Sequence, residues 1–397
     1  MNRDFVSPVI KSLAPSGIRR FFDLVAEMDD VVSLGIGEPD FVTPWRIREA
    51  ALHSLKEGYT MYTSNQGLLE LRNAISDYWY ENMGMRYNPK EEIIVTVGVS
   101  EALDLLMRTI LTPGDEVIMA EPCYVSYQPT VILAGGVPRT IPTTMEDGFQ
   151  LRVDELEKAI NERTKAVLLC SPNNPTGTVL TSHCLADIAR VAVKYDLLVI
   201  TDEIYSELVY DGKYTSIAQM PGMRERAIVL NGFSKTYAMT GWRIGYALGR
   251  TDVIKGMNKI HQYTMLCAPI TSQKAAIEAL RNCHREKAAM RQEYNERRRL
   301  IVKGLNEVGL ECSMPQGAFY VFPSVRSTGL DAETFCEQLL KQEKVAVVPG
   351  TAFGSSGEGF VRCSYAASID EIKEALERIG RFVENNSLRK CASGEGA

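Results

Sequence analysis

Between about residue 90 and residue 250 the chain alternates two kinds of hydrophobic pattern. Short apolar runs rich in β-branched residues (EEIIVTVG, DEVIMAEP, KAVLLCSP, LLVITDE, AIVLNGFSK) alternate with stretches of helical spacing (SEALDLLMRTIL, VDELEKAINERT, CLADIARVAVKY). A strand that is apolar at nearly every position is buried on both faces. Helices between such strands are crossovers, so the pattern predicts an α/β fold with a parallel sheet covered on both sides. Sheets of this kind hold ligands beyond the carboxyl ends of their strands. Chemistry is therefore expected just after each apolar run.

Residues 272–308 predict one or two long helices, and REKAAMRQEYNERRR reads as a solvated face joining two lobes. Beyond them GAFYVFP, KVAVVPG and GFVRCSYA are short β runs among helical segments, which predict a smaller α+β unit. The start of the chain is rich in Pro and Gly and lacks a sheet period. The expected division is an N-terminal arm over residues 1–45 packing with the small domain, a large domain over 46–285 and a small domain over 286–397.

Composition narrows the function classes. The chain has 397 residues, enough for roughly two domains, and its 45% apolar and 24% charged residues exclude a disordered or low-complexity protein. A net charge of −6 gives no footprint for a nucleic-acid partner, and a small anionic substrate would need local Arg or Lys. Nine cysteines, widely spaced and without a CxxC, argue against disulfides and a thiolate zinc site. The four histidines do not pair at helical spacing, so no metal is expected. The first residues lack a secretory apolar core and no apolar run reaches membrane length, which leads to the expectation of a soluble cytoplasmic protein with no membrane partner.

Four segments at predicted strand ends carry candidate chemistry. SPNNPTG (Ser171–Gly177) is a turn rich in Asn, Pro and Gly, which taken alone is most often a plain loop. In TDEIY (Thr201–Tyr205), Asp202 ends a buried strand; it either caps a helix or answers a cation, since desolvating a lone carboxylate is costly. In NGFSKTYAMTGWRIG (Asn231–Gly245), Lys235 follows a strand among small and aromatic residues. Burial there would lower its pKa and supply the free amine that a Schiff base needs. Arg243 on the same segment suits a phosphate or carboxylate. In GFVRCSY, Arg362 inside a β run requires an anion, either a structural acid or a ligand.

Taken in order, these segments resemble the class I/II aminotransferases of the fold type I pyridoxal-phosphate enzymes. The likeness extends to SLGIGEPDF (Ser33–Phe41), YTMYTSNQGLLELR (Tyr59–Arg72), VTVGVSEAL (Val95–Leu103), PCYVSY (Pro122–Tyr127) and QGAFYVFP (Gln316–Pro323). NGFSKTYAMTGWRIG and VVPGTAFG are most similar to the bacterial and archaeal aromatic or broad-specificity branch.

The resemblance implies a large domain with a mostly parallel seven-stranded sheet, a smaller α+β domain and pyridoxal 5'-phosphate as cofactor. It makes Lys235 the Schiff-base lysine and proton carrier, Asp202 the partner of the pyridine nitrogen, and Tyr205 and Asn174 the partners of the ring's phenolic oxygen. The phosphate falls to the amides of Val99 and Ser100, the Ser100 hydroxyl, Ser234 and Arg243, aided by the helix dipole. Tyr124 matches the residue stacked on the ring, and Arg362, with Gly37 and Asn174 beside it, the site of the substrate carboxylate. Tyr62 matches a phosphate-binding tyrosine supplied by a partner subunit, which implies a homodimer.

Two departures are visible. Gly232 stands where the aspartate-aminotransferase pattern has a serine, and no second arginine matches the group that serves a distal carboxylate. The implied activity is amino transfer from an L-amino acid, aromatic or of broad range, to a 2-oxo acid such as 2-oxoglutarate. The alternatives are an aspartate-type aminotransferase, a C–S β-lyase of the same fold, or a ligand-sensing domain of a transcription regulator.

Overall fold

The computed structural model describes residues 3–15, 17 and 28–393. The remainder of the N-terminal arm expected from the sequence, and residues 394–397, lie outside the described residues. In chain order the strands are β1 (Val32–Ser33), β2 (Ile93–Thr96), β3 (Glu116–Glu121), β4 (Val137–Pro142), β5 (Thr164–Cys170) and β6 (Leu198–Asp202). They continue as β7 (Ala227–Gly232), β8 (Gly245–Leu248), β9 (Tyr320–Val321), β10 (Val345–Ala346), β11 (Val348–Pro349) and β12 (Val361–Ser364).

Seven of these form one sheet in the order β2-β8-β7-β6-β5-β3-β4. Within it β8 runs antiparallel to both its neighbours, and every other adjacent pair is parallel. The burial explains the unbroken apolar runs. Val95, Val167, Val199 and Val229 pack on one face with Leu71, Ile75 and Ile188, while Ile94, Leu168, Ile200 and Ile228 pack on the other with Leu105, Leu106 and Ile254. Successive strand residues point to opposite faces, and both faces are covered. Each fully buried aliphatic side chain contributes about 2 kcal/mol relative to exposure. Strand β4 lies at the sheet's edge, where Pro138 and Pro142 remove no ladder bond that the sheet needs, and Ile141 is its buried residue.

A second core surrounds the antiparallel sheet β11-β12-β9. It gathers Phe319, Val321, Phe335, Val347, Leu376 and Phe382, and also Val32 and Leu34 from the start of the chain. Strand β1 pairs in parallel with β10, which ties that N-terminal segment to this unit. Ile204, Tyr205 and Leu208, just past β6, belong to the same core, so the two units meet at the carboxyl edge of the large sheet.

The long polar stretch folds as two helices, Ile270–Asn282 and His284–Glu307. Its reading as a wholly solvated face is corrected. Arg297 and Arg298 are buried: Arg297 Nη1 donates to both oxygens of Asp40 at 2.7 and 2.8 Å, and Arg298 Nη1 to Asp211 at 2.5 Å. Charged side chains can enter a core when each meets a fixed partner, and a hydrophobic pattern does not reveal that pairing.

Candidate active site

The ends of β2, β3, β5, β6 and β7 converge on a cavity of about 550 Å3. Its lining includes Gly37, Val99, Ser100, Tyr124, Asn174, Asp202, Tyr205, Ser234, Lys235, Arg243 and Arg362. Every site residue expected from the sequence is therefore brought together, with one exception. Tyr62 is 79% exposed and stands outside the cavity, in the loop before the helix Leu69–Met83.

At the end of β6, Asp202 points into the cavity. Its Oδ2 accepts from the Tyr127 hydroxyl at 2.8 Å and its Oδ1 from the Ile204 amide at 3.1 Å. Burial raises its pKa to about 6, while those two bonds and the charge of Lys235 pull the other way. The residue thus caps the turn after β6 and still leaves a carboxylate facing an enclosed space.

Lys235 follows β7 and is largely enclosed. Its Nζ donates to the Gly37 carbonyl at 2.7 Å and stands 5.8 Å from the centre of the Phe319 ring. Burial pushes its pKa down to about 8; Glu38 opposes the shift, while Arg362 and Arg243 add to it. An amine in this state is a competent nucleophile near neutral pH.

The anion cradle is built by the absence of side chains. The helix Gly98–Ile110 follows β2 and presents the amides of Val99 and Ser100 in its first turn, where helical N–H groups have no internal acceptor. A Cβ on Gly98 would lie 2.7 Å from Arg243 Nη2, and one on Gly245 would lie 2.8 Å from the Val99 nitrogen. Gly232 pairs with Gly245 across the ladder, and a Cβ there would meet Ile244 O at 3.1 Å. The glycine in place of serine therefore fits the closeness of β7 and β8. Arg243 itself holds a left-handed backbone (φ 50°), with Nη1 bonded to Thr240 O at 3.0 Å. Such backbone strain costs about 1 kcal/mol or more and is concentrated at functional sites.

Arg362 lies in the middle strand of the second sheet and is 2% exposed. Its Nη1 donates to Asn174 Oδ1 at 3.0 Å and its Nη2 to Gly35 O at 2.7 Å, while Nε has no partner. The guanidinium lies over Tyr320 (4.5 Å to the ring centre) and Phe353 (4.9 Å). No acid is among these partners. The sequence left open a structural ion pair, and the partners found are neutral, so the buried charge is still open to an anion.

These features fit a planar, phosphorylated ring: a cradle without side chains for its anion, a buried carboxylate, and an enclosed amine between them. Tyr205 and Asn174 already have partners in this structure. The Tyr205 hydroxyl shares a 2.8 Å bond with that of Tyr320, and the Asn174 amide oxygen is taken by Arg362, which leaves the Asn174 NH2 group as a donor.

Comparison with known proteins agrees with this geometry. The family model described as aminotransferase class I and II matches residues 29–379. The chain belongs to the class I and II aminotransferases. It is 52% identical to the putative aminotransferase YugH of Bacillus subtilis, over 96% of this chain and 99% of that one. Aromatic-amino-acid aminotransferase 2 of Thermococcus litoralis is 45% identical over 96% of this chain and 99% of its own. Among solved structures, aspartate aminotransferase from Thermus thermophilus with maleate superposes with a TM-score of 0.92 at 39% identity, covering 96% of this chain and all of that one. The protein is thus a pyridoxal-phosphate-dependent aminotransferase acting between an amino acid and a 2-oxo acid. No helix among the described residues is long and apolar enough to cross a membrane.

Sequence reasoning passed over several residues of this aminotransferase site. Tyr127, Tyr320, Glu38 and Thr240 also line the cavity, and Phe353 covers Arg362. Tyr127 lies within PCYVSY and Tyr320 within QGAFYVFP, so the signal was an aromatic residue inside a recognised motif. Which hydroxyl faces Asp202 depends on tertiary packing.

Proposed function

We propose that this aminotransferase takes aromatic or a broad range of L-amino acids as donors, with a 2-oxo acid such as 2-oxoglutarate as acceptor. The observation that carries this reading is the charge content of the cavity. Among the described residues the cations lining it are Lys235, Arg243 and Arg362, which leaves none of these residues for a second substrate carboxylate. The lining near Arg362 is aromatic, with Tyr124 and Tyr320 on the wall and Phe353 over the guanidinium.

In this reading Arg362 and the backbone at Gly37 bind the amino acid's α-carboxylate, with Asn174 fixing the guanidinium. Bound pyridoxal phosphate supplies the electron-withdrawing ring on which the amino group is exchanged. Lys235 holds that cofactor and moves a proton to and from the substrate's Cα. Asp202, ionised, keeps the ring nitrogen protonated. Tyr205 and Asn174 donate toward the phenolic oxygen, and Tyr124 stacks on the ring face. Val99, Ser100, Ser234 and Arg243 take the phosphate. Tyr62 serves the phosphate of a second copy, so the active form is a cytoplasmic homodimer with shared sites.

The deciding experiment is a panel of amino acids, Phe and Tyr alongside Asp and Ala, assayed against 2-oxoglutarate by product formation. Efficient turnover of Phe and Tyr is expected. A strict preference for Asp would overturn the aromatic reading, and release of pyruvate with ammonia from a C–S substrate would point to lyase chemistry.

A further inference from the structure

Glu121 ends β3 beside the cavity and is 4% exposed. Its side chain does no work in the chemistry described above, yet it is heavily bonded. Oε1 accepts from Ser355 Oγ at 3.1 Å, Ser356 N at 2.9 Å and Ser356 Oγ at 3.1 Å, and Oε2 accepts from Gln128 Nε2 at 3.3 Å. A buried carboxylate with several neutral donors is a strong, directional tie. The three donors from Ser355 and Ser356 lie in the loop between β11 and β12, whereas Glu121 belongs to the large sheet.

Two further contacts extend this tie. The Cys123 amide donates to Phe353 O at 3.0 Å. Gly354, at φ +121°, lies so close that a Cβ would fall 2.1 Å from Glu121 Cδ. The loop so held carries Phe353, 1% exposed, whose ring covers Arg362. Tyr124 and Tyr127, three and six residues after Glu121 in the chain, also line the cavity.

We propose that Glu121 is a positioning residue for substrate binding: its carboxylate latches the Phe353–Ser356 loop to the end of β3 and so sets Arg362 relative to the wall bearing Tyr124. The inference rests on the reading of Arg362 as the substrate-carboxylate site. The latch acts across the junction of the two units, through contiguous hydrogen bonds and one aromatic contact. It touches neither the phosphate cradle nor Lys235.

The test uses the holoenzyme and the variants Glu121→Gln, Glu121→Ala and Gly354→Ala, the last pressing on the latch from the opposite side. Losing a charge-assisted bond should raise KM for the best amino-acid donor about ten-fold in Glu121→Ala, and less in Glu121→Gln, which keeps an acceptor. Binding of 3-phenylpropanoate, a carboxylate with no amino group, should weaken in parallel. The cofactor's visible band, its dissociation constant and kcat should stay within about two-fold of wild type. Unchanged KM in Glu121→Gln, Glu121→Ala and Gly354→Ala overturns the proposal. So does a rise in KM matched by loss of cofactor or of kcat, which would mark a general structural role. Should Glu121→Ala fail to fold, Glu121→Gln and Gly354→Ala carry the comparison. Arg362→Lys runs alongside: normal KM in that variant overturns the carboxylate reading itself, and the latch with it.

Discussion

Tyr127 donates its hydroxyl to Asp202 at 2.8 Å from a fully buried position. Burial drives the Asp202 pKa upward, and this bond restrains the rise because it favours the ionised form. The ionised form is the one that can keep a ring nitrogen protonated. Tyr127→Phe removes the restraint, so the acid limb of the kcat–pH profile should move to higher pH. If the lost bond moves the pKa up by about one unit from its value of about 6, kcat should fall about two-fold at pH 7 and about five-fold at pH 6. A limb that stays in place would show that the bond does not act on Asp202.

Lys235 gives two linked expectations. Purified protein should show a visible band that borohydride bleaches, and Lys235→Ala should lack it and lose turnover by several orders of magnitude. The pH dependence follows from the pKa of about 8, lowered by burial from 10.5. A depressed pKa enlarges the neutral, reactive fraction, to about one in ten at pH 7. The rate at which cofactor-free protein takes up pyridoxal phosphate should therefore rise with pH and level off above about 8. Near-normal transamination by Lys235→Ala would remove the residue from its role.

The two arginines should separate cleanly. Arg362→Lys should raise KM for both amino acid and oxo acid, because an ammonium cannot reproduce the planar fork now bonded to Asn174 and Gly35. Arg243→Ala should chiefly loosen the cofactor and respond to excess pyridoxal phosphate. Rescue of the Arg362 variant by cofactor, with Arg243→Ala left dead, would reverse the assignments.

Tyr62 is testable by mixing. If it completes a neighbour's site, co-expressing a Lys235→Ala chain with a Tyr62→Asp chain places both lesions in one site of each heterodimer and none in the other. With random pairing about half the dimers are mixed, so activity should recover to roughly a quarter of wild type. Heterodimers that form yet stay as inactive as either parent would assign Tyr62 to its own chain or to none.

The sheet could be read from the sequence where both faces are buried, because there β2, β3, β5, β6 and β7 become unbroken apolar runs. Strand β4 escaped that reading: it is an edge strand with two prolines and one buried residue, so its composition mimics a loop. Strand β8 (GYAL) is too short for a period to show. The cavity residues were legible through motifs, since Lys235, Asp202 and Arg362 all stand at or beside strand ends. Their partners were not. The burial of Arg297 against Asp40, the reach of Tyr127 to Asp202 and the hold of Glu121 on Ser356 join residues far apart in the chain, and no local pattern encodes such pairings.

The loop Phe233–Ile244 leaves β7 at Gly232 and returns at Gly245, the very residue that faces Gly232 across the ladder. Lys235 and Arg243 are therefore carried on one closed segment with both feet fixed, and their separation is a property of that segment alone. Adding or deleting a residue within it would change the spacing of amine and guanidinium together. It would also displace Gly245 from the Gly98–Val99 peptide, which has no room for another residue's Cβ. In an insertion scan of the whole gene, this loop should stand out as an interval from which no active insertion is recovered, because both of its ends are fixed in the ladder.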